Sequence, residues 1–294
     1  MHSSVSVPRV GSVQLGRTLR AARVIHPFPV ALNVAATVAL AFIATRGWPS
    51  ASELVRLAAA MFCVQAAIGA SNDYCDRDLD ALTKPSKPIV QGLLEPRTAL
   101  VVAALFALAA GALGATFGPI AIGVAASGLA AGLAYNVRLK RSVLSALPFM
   151  VALPALPIWV WVSLDRFAGE LWWLLPFAPL AALAVHLSNT LPDLEADLRG
   201  GVRGLAHALG PDASRRLAWG TFGLALGLSA ALGLHLDYDW LAFLAGALPA
   251  GALYVIAMGA YAFRPGQAAL QLGFGLIGAA TALLAAGWLA AATG

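Results

Sequence analysis

Charge is scarce in this chain. Asp, Glu, Lys and Arg make up 11% of its 294 residues, against about 25% in an ordinary soluble domain. With 60% hydrophobic residues and a mean hydropathy of +0.79, water is not its main solvent. Cysteine is scarcer still: Cys63 and Cys75 are the only two, without CxxC spacing, so neither a thiolate zinc site nor a disulfide framework is indicated. Residues 1–24 lack a short apolar core followed by a cleavage site, so no removable signal is needed and the first apolar run directs insertion. The net charge of +5 comes from basic residues at the ends of apolar runs rather than on one polar face, which argues against a nucleic-acid partner.

What is plentiful is apolar sequence in runs of about 20 residues, the length that spans a bilayer. Nine are read: 27–45, 54–71, 98–117, 119–136, 143–163, 171–191, 217–235, 240–263 and 268–292. The expected fold class is an all-α membrane protein of about nine transmembrane helices, with a short segment 1–24 followed by a single membrane domain over 25–294. Basic residues concentrate in cytoplasmic loops. Of the 19 here, all but Arg46, Arg56 and Arg166 fall in the N-terminal segment, which includes Arg9, Arg17 and Arg23, or in even-numbered loops. The N-terminus and even loops are therefore expected in the cytoplasm, and the C-terminus outside.

The 14 acidic residues are the most informative, because seven fall in two short stretches at the cytoplasmic ends of the second and sixth runs. Asp73, Asp76, Asp78 and Asp80 lie in SNDYCDRDLD; Asp193, Glu195 and Asp197 lie in NTLPDLEAD. Such crowding of like charge is most simply offset by a cation. Asn72, Asp76 and Asp80 recur every four residues and so share a helix face. Asn189, Asp193 and Asp197 repeat the spacing 117 residues later, which implies two related four-helix halves plus one helix. Hard oxygen ligands with room for phosphate suit Mg²⁺, and two facing clusters would grip a diphosphate. Basic residues for its phosphates follow in the loops: Lys84 and Lys87, Lys140 and Arg141, Arg199 and Arg203. Asp78 and Glu195 fall off the cluster face and are read as solvated or paired with a neighbouring Arg.

These residues resemble the UbiA superfamily of intramembrane prenyltransferases. The signature NDxxDxxxD stands as Asn72, Asp73, Asp76 and Asp80. KPSKPIVQG is similar to the family's Arg-Pro-Ile/Leu stretch, with Lys87 in place of the usual Arg; lysine keeps the charge and loses bidentate geometry. Asp193, Asp197, Gly200 and Arg203 match the second signature, and Tyr135 with Leu139, Lys140 and Arg141 looks like the family's tyrosine-to-lysine-arginine loop. The resemblance implies a helical ring around a central cavity, with Asn72 and Asp76 opposing Asp193 and Asp197 through Mg²⁺. It implies catalytic roles for Asp76, Asp193, Asp197, Lys140 and Tyr135, and substrate contacts from Asp73, Asp80, Lys84, Lys87, Arg141, Arg203, Asn189 and Asn33. The implied reaction transfers a polyprenyl group from its diphosphate to a lipophilic or aromatic acceptor: a quinone precursor, a tetrapyrrole or a glycerol-phosphate ether.

Gln65 and His186, each seven residues before a cluster asparagine or aspartate, are candidates for the acceptor cavity. Trp159, Trp161, Trp172 and Trp173 flank the fifth loop, where an interfacial aromatic belt is expected, and are assigned no chemistry. Two other classes stay open. A secondary transporter would hold its coupling ion near the midplane at broken helices, whereas these carboxylates lie at helix ends. A non-catalytic membrane relative is the other.

Overall fold

The computed structural model describes residue 18 and residues 20–293. Arg9, Arg17 and most of the predicted segment 1–24 lie outside the described residues. Eleven α-helices are assigned among the described residues: α1 Pro27–Thr45, α2 Ala51–Thr83, α3 Pro96–Ala115, α4 Pro119–Val137, α5 Leu147–Ser163, α6 Ala178–Thr190, α7 Leu194–Arg199, α8 Leu205–Leu209, α9 Pro211–Leu232, α10 Trp240–Phe263 and α11 Gln267–Ala292. Single 3-10 turns lie at Ala22–Ile25, Leu139–Arg141, Gly169–Leu174 and Leu191–Asp193.

Helix starts follow a simple chemical rule. Pro stands in the first turn of α1, α3, α4, α5, α6 and α9, where its missing N–H has no intrahelical acceptor to lose. Before α4 and α9 the chain turns on Gly118 and Gly210, at φ 93° and 80°. α2 begins with a capping box instead: Ser50 Oγ accepts from the Glu53 N–H (3.2 Å) and Glu53 Oε2 accepts from the Ser50 N–H (2.7 Å).

Six helices among the described residues, α1 to α4, α10 and α11, are long and apolar enough to cross a bilayer. The other three predicted spans are built less simply. α5 is apolar but only 17 residues long and carries Pro154 and Pro157 inside it, tolerable in a bundle where neighbours satisfy the freed backbone groups. The sixth run is a 3-10 turn followed by the 13-residue α6, and α9 is long but more polar. The outer surface is apolar, with Phe28, Leu241 and Phe263 largely exposed, while Thr37, Asn136, His186 and Ser214 are buried. That inversion is the mark of an integral, multi-pass membrane protein, in which lipid rather than water meets the surface.

The helices pack in a ring: α1 on α2 and α5, α2 on α3 and α4, α4 on α5, α5 on α6, α6 on α9 and α11, and α11 on α10 and back on α1. Small residues set the closest approaches. A Cβ at Gly246 would fall 2.4 Å from the Leu283 carbonyl oxygen, and Gly287 Cα lies 2.7 Å from the same point. This close approach of two backbones is how transmembrane helices gain dispersion contact without a hydrophobic drive.

One expectation needs correction. Trp159 and Trp161 are buried, at 3% and 1% exposure, and only Trp172 and Trp173 lie at the surface as a belt would. The central cavity is walled by α1, α2, α4, α5 and the end of α6; α9, α10 and α11 complete the ring without lining it.

Gly246→Val will force α10 and α11 apart and cost about 1–3 kcal/mol by overpacking. Chemical or thermal unfolding of the purified variant in detergent measures this, and an unchanged midpoint would contradict the close approach.

Candidate active site

α2 carries the first cluster as one unbroken helix of 33 residues, so Asn72, Asp76 and Asp80 do share a face. Asp73, Asp76 and Asp80 are all buried, and buried carboxylates need partners. Lys140, itself buried in the 3-10 turn Leu139–Arg141, is paired with Asp76 Oδ1. Arg141 stands 3.8 Å from the same oxygen. Asp73 Oδ1 pairs with Lys87 and accepts from His26 Nε2 at 2.6 Å. Lys84 and Lys87 each lie 3.9 Å from Asp80. Asp78 is exposed beside Arg77, as its position off the face implies.

Asn72 is held on both sides. Its Nδ2 donates to Asp76 Oδ2 (2.8 Å) and to Asn136 Oδ1 (3.2 Å). Asn136 in turn donates to the Ile68 carbonyl (2.8 Å) and Ser71 Oγ (2.7 Å), so an amide on α4 locks the orientation of the amide on α2.

The second cluster is built differently from its expected single helix face. α6 stops at Thr190; Leu191–Asp193 is a 3-10 turn and α7 begins only at Leu194. Pro192 lacks the N–H that an uninterrupted helix would use there, so Asn189, Asp193 and Asp197 do not repeat the geometry of α2. Asp193 is exposed and Asp197 half-buried. Burial raises the Asp197 pKa, the neighbouring Asp193 charge adds to this, and His207, Lys84 and Lys140 oppose it. The two clusters thus share one electrostatic environment. His207 ties the segment together by accepting from the Gly204 N–H at Nδ1 (3.1 Å) and reaching the Leu194 carbonyl with Nε2 (3.2 Å). Arg203 is exposed, and among the described residues no contact draws it into the cluster.

Below the charged groups lies a cavity of about 470 Å³, with Asn33, Gln65, Asn72, Tyr135 and Asn189 among its lining residues. Asn33 spends its Nδ2 on the Pro29 carbonyl (2.9 Å). Tyr135 meets Phe149 edge-on at 5.5 Å. His186 does not line the cavity; it is buried behind Tyr135 and Phe149 and hydrogen-bonds Ser145 Oγ at 3.0 Å.

Sequence reasoning missed His26 and Asn136. His26 adopts a left-handed backbone at φ 56° between the turn Ala22–Ile25 and Pro27. That turn can lie against α2 because residue 69 is glycine: a Cβ there would fall 2.7 Å from the Ile25 carbonyl oxygen. A non-glycine residue with positive φ beside a proline was beyond reach from sequence.

Among the described residues no three His, Cys, Asp or Glu side chains gather into a metal-binding group on their own. The donors are nonetheless hard oxygens, and Asp73 Oδ2 and Asp80 Oδ2 are buried without a hydrogen-bond partner. A set split between two segments fits a cation that completes its shell with phosphate oxygens, which is the habit of Mg²⁺.

Fold and site define an intramembrane helical protein with a charged, phosphate-suited mouth over an apolar cavity. The UbiA prenyltransferase family model matches residues 33–274, and the chain belongs to that family. It is 32% identical over 198 residues to the bacteriochlorophyll synthase 33 kDa chain of Cereibacter sphaeroides, covering 65% of each chain, so it spans just under two thirds of that relative's length. It is 32% identical over 205 residues to the digeranylgeranylglyceryl phosphate synthase of Ignicoccus hospitalis, covering 64% of this chain and 67% of that one. The fold matches that of a UbiA homologue from Archaeoglobus fulgidus solved with GPP and Mg²⁺, with a TM-score of 0.70 at 18% identity, covering 90% of this chain and 99% of the other.

Asn136→Ala will cost about 1–3 kcal/mol through the polar groups it strands. Asn136→Asp will cost more, because a carboxylate cannot donate to the Ile68 carbonyl. Melting of both variants in detergent tests this order, and the reverse order would refute the lock on Asn72.

Proposed function

We propose that the chain moves a prenyl group from a prenyl diphosphate to a lipophilic or aromatic acceptor, with Mg²⁺ and release of diphosphate, on the cytoplasmic side of the membrane. One juxtaposition carries this reading. An apolar cavity has Asn72, Tyr135 and Asn189 among its lining residues, and one helical turn beyond Asn72 stands Asp76 with Lys140 and Arg141. An apolar pocket under a cationic and carboxylate mouth matches a donor with an apolar tail and a doubly phosphorylated head.

Asn72 and Asp76 on one side, with Asp193 and Asp197 on the other, would hold the Mg²⁺; Asp73, Asp80 and Asn189 support them. Bound there, the ion supplies charge neutralisation to the departing diphosphate. Lys140 and Lys87 are already positioned by their carboxylates, so an arriving diphosphate meets ammonium groups whose orientation has been fixed beforehand. Arg141, Lys84 and Arg203 add positive charge at the rim. Breaking the bond between the first prenyl carbon and the diphosphate oxygen leaves an allylic cation. The apolar walls keep water from it, and the Tyr135 ring offers a π face to it. The acceptor's nucleophile then forms the new bond and loses its proton. The names of the relatives make a tetrapyrrole or a glycerol-phosphate ether natural acceptors to try, beside quinone precursors.

On this proposal the chain is one membrane domain over 25–294, with the even loops in the cytoplasm as the basic residues imply. Single cysteines introduced at Arg203 and Asp165, in a chain without its native cysteines, will label from opposite faces of sealed vesicles. Labelling from the same face would overturn the topology.

Magnesium-dependent release of diphosphate from geranyl to geranylgeranyl donors, across aromatic, tetrapyrrole and glycerol-phosphate acceptors, tests the activity. Asp76→Ala and Asp193→Ala will abolish turnover. Asp193→Ala, at an exposed position, will melt normally, whereas Asp76→Ala leaves buried Lys140 without its partner and will melt lower while still folding. Lys140→Ala will lower kcat by about 10²–10³, as loss of one preorganised donor does. Near-normal turnover in both aspartate variants would end this reading.

A further inference from the structure

The cavity has a measurable depth and a built floor. Down α2 from Asn72 to Met61 is eleven residues, along α4 from Asn136 to Val124 is twelve, and along α5 from Pro148 to Trp159 is eleven; all six line the cavity. At 1.5 Å of rise per residue each path is about 16–18 Å long. Three helices therefore bring the cavity to an end at the same depth, and the largest side chain there is Trp159, at 3% exposure.

The indole has a firm backing. Its ring stands edge-on to Phe117, with centroids 6.2 Å apart. Phe117 carries the Arg56 guanidinium over its ring at 4.8 Å, and Arg56 donates to the Thr116 carbonyl at 3.4 Å. An aromatic pair pinned by a cation is a stop rather than a flexible plug.

An extended chain advances roughly 1.2 Å per backbone bond, from 3.3–3.6 Å per three-bond residue, so a four-bond isoprene unit runs about 4.7 Å. A path of about 16 Å takes about three such units stretched out, and the fourth meets the floor. Building on the proposed function, we infer that Trp159 is a specificity-determining residue that gauges the donor tail at about three isoprene units. Longer tails must bend aside within the cavity.

Glycines on α4 supply an independent handle. A Cβ at Gly132 would fall 2.5 Å from Ile68 Cδ1, whereas one at Gly128 meets nothing within 4 Å. Gly128 lines the cavity eight residues, about 12 Å, below Asn136. A side chain there raises the floor by about one isoprene unit, and it also replaces a helix-interior glycine, which favours folding.

The test measures Mg²⁺-dependent Kd values of geranyl, farnesyl and geranylgeranyl diphosphate for the detergent-purified chain and for Trp159→Ala and Gly128→Leu. Gly128→Leu will leave geranyl diphosphate within about twofold and weaken farnesyl diphosphate about tenfold or more, since a few methylenes without room discriminate at least that far. Trp159→Ala will improve geranylgeranyl relative to farnesyl diphosphate about tenfold; should that variant fail to fold, Gly128→Leu decides alone. Equal weakening of all three donors by Gly128→Leu, or length ratios that stay within twofold of the parent, would overturn the gauge while leaving the proposed function standing. If the parent chain binds none of the three, the proposed function itself falls and the gauge falls with it.

Discussion

Everything at the charged end of this bundle follows from placing three carboxylates of α2, Asp73, Asp76 and Asp80, out of water. An isolated carboxylate in a low-dielectric setting is too costly to stay ionised. Each therefore draws in a basic or hydrogen-bonding partner from a segment that would otherwise have no reason to fold inward. Lys87 comes from the loop after α2 and Lys140 from the turn after α4; His26 comes from the turn before α1. Satisfying the acids and assembling a polyanion site are the same event, because the cations that neutralise the acids are those a phosphate would want.

Glycine and amide chemistry make that convergence possible at short range. Gly69 lets the backbone of Ile25 touch α2 and so brings His26 to Asp73. Gly204 does the same on the other side, where a Cβ would fall 2.9 Å from Ser145 Oγ and 3.0 Å from the Lys140 carbonyl oxygen. Ser145 Oγ accepts from the Leu205 N–H at 2.9 Å. The basic loop carrying Lys140 and the loop following the second cluster are thus fastened to each other through buried polar groups, which are worth more in apolar surroundings than in water.

How much of this the sequence disclosed depended on the range of each interaction. The apolar runs and the four-residue spacing of Asn72, Asp76 and Asp80 are local, and they gave the helical membrane class and the face of α2. Pro192 was equally local and should have broken the second spacing, yet numerical symmetry with the first cluster outweighed it. Asn136 and His26 were invisible because their partners lie 64 and 47 residues away, and neither sits in a periodic pattern. Trp159 was misplaced because an aromatic near a predicted loop reads as a belt residue; the double proline of α5 and the packing of Phe117 turn it inward.

The two clusters, similar in spacing and different in construction, divide the mechanical demands of the proposed reaction. α2 runs unbroken through Asn72 and Asp76, with Asn136 bracing the asparagine, so that side has little freedom to move. The second cluster is a 3-10 turn followed by helices of six and five residues, too short to be stable alone and held by His207 and by the Val202 N–H on the Asp197 carbonyl at 2.9 Å. A site that must close on a charged head and then let diphosphate leave gains from one fixed wall and one that yields. For the proposed reaction the break at Pro192 thus has a use: a continuous second helix would match the first in rigidity and leave the head group no yielding side from which to depart.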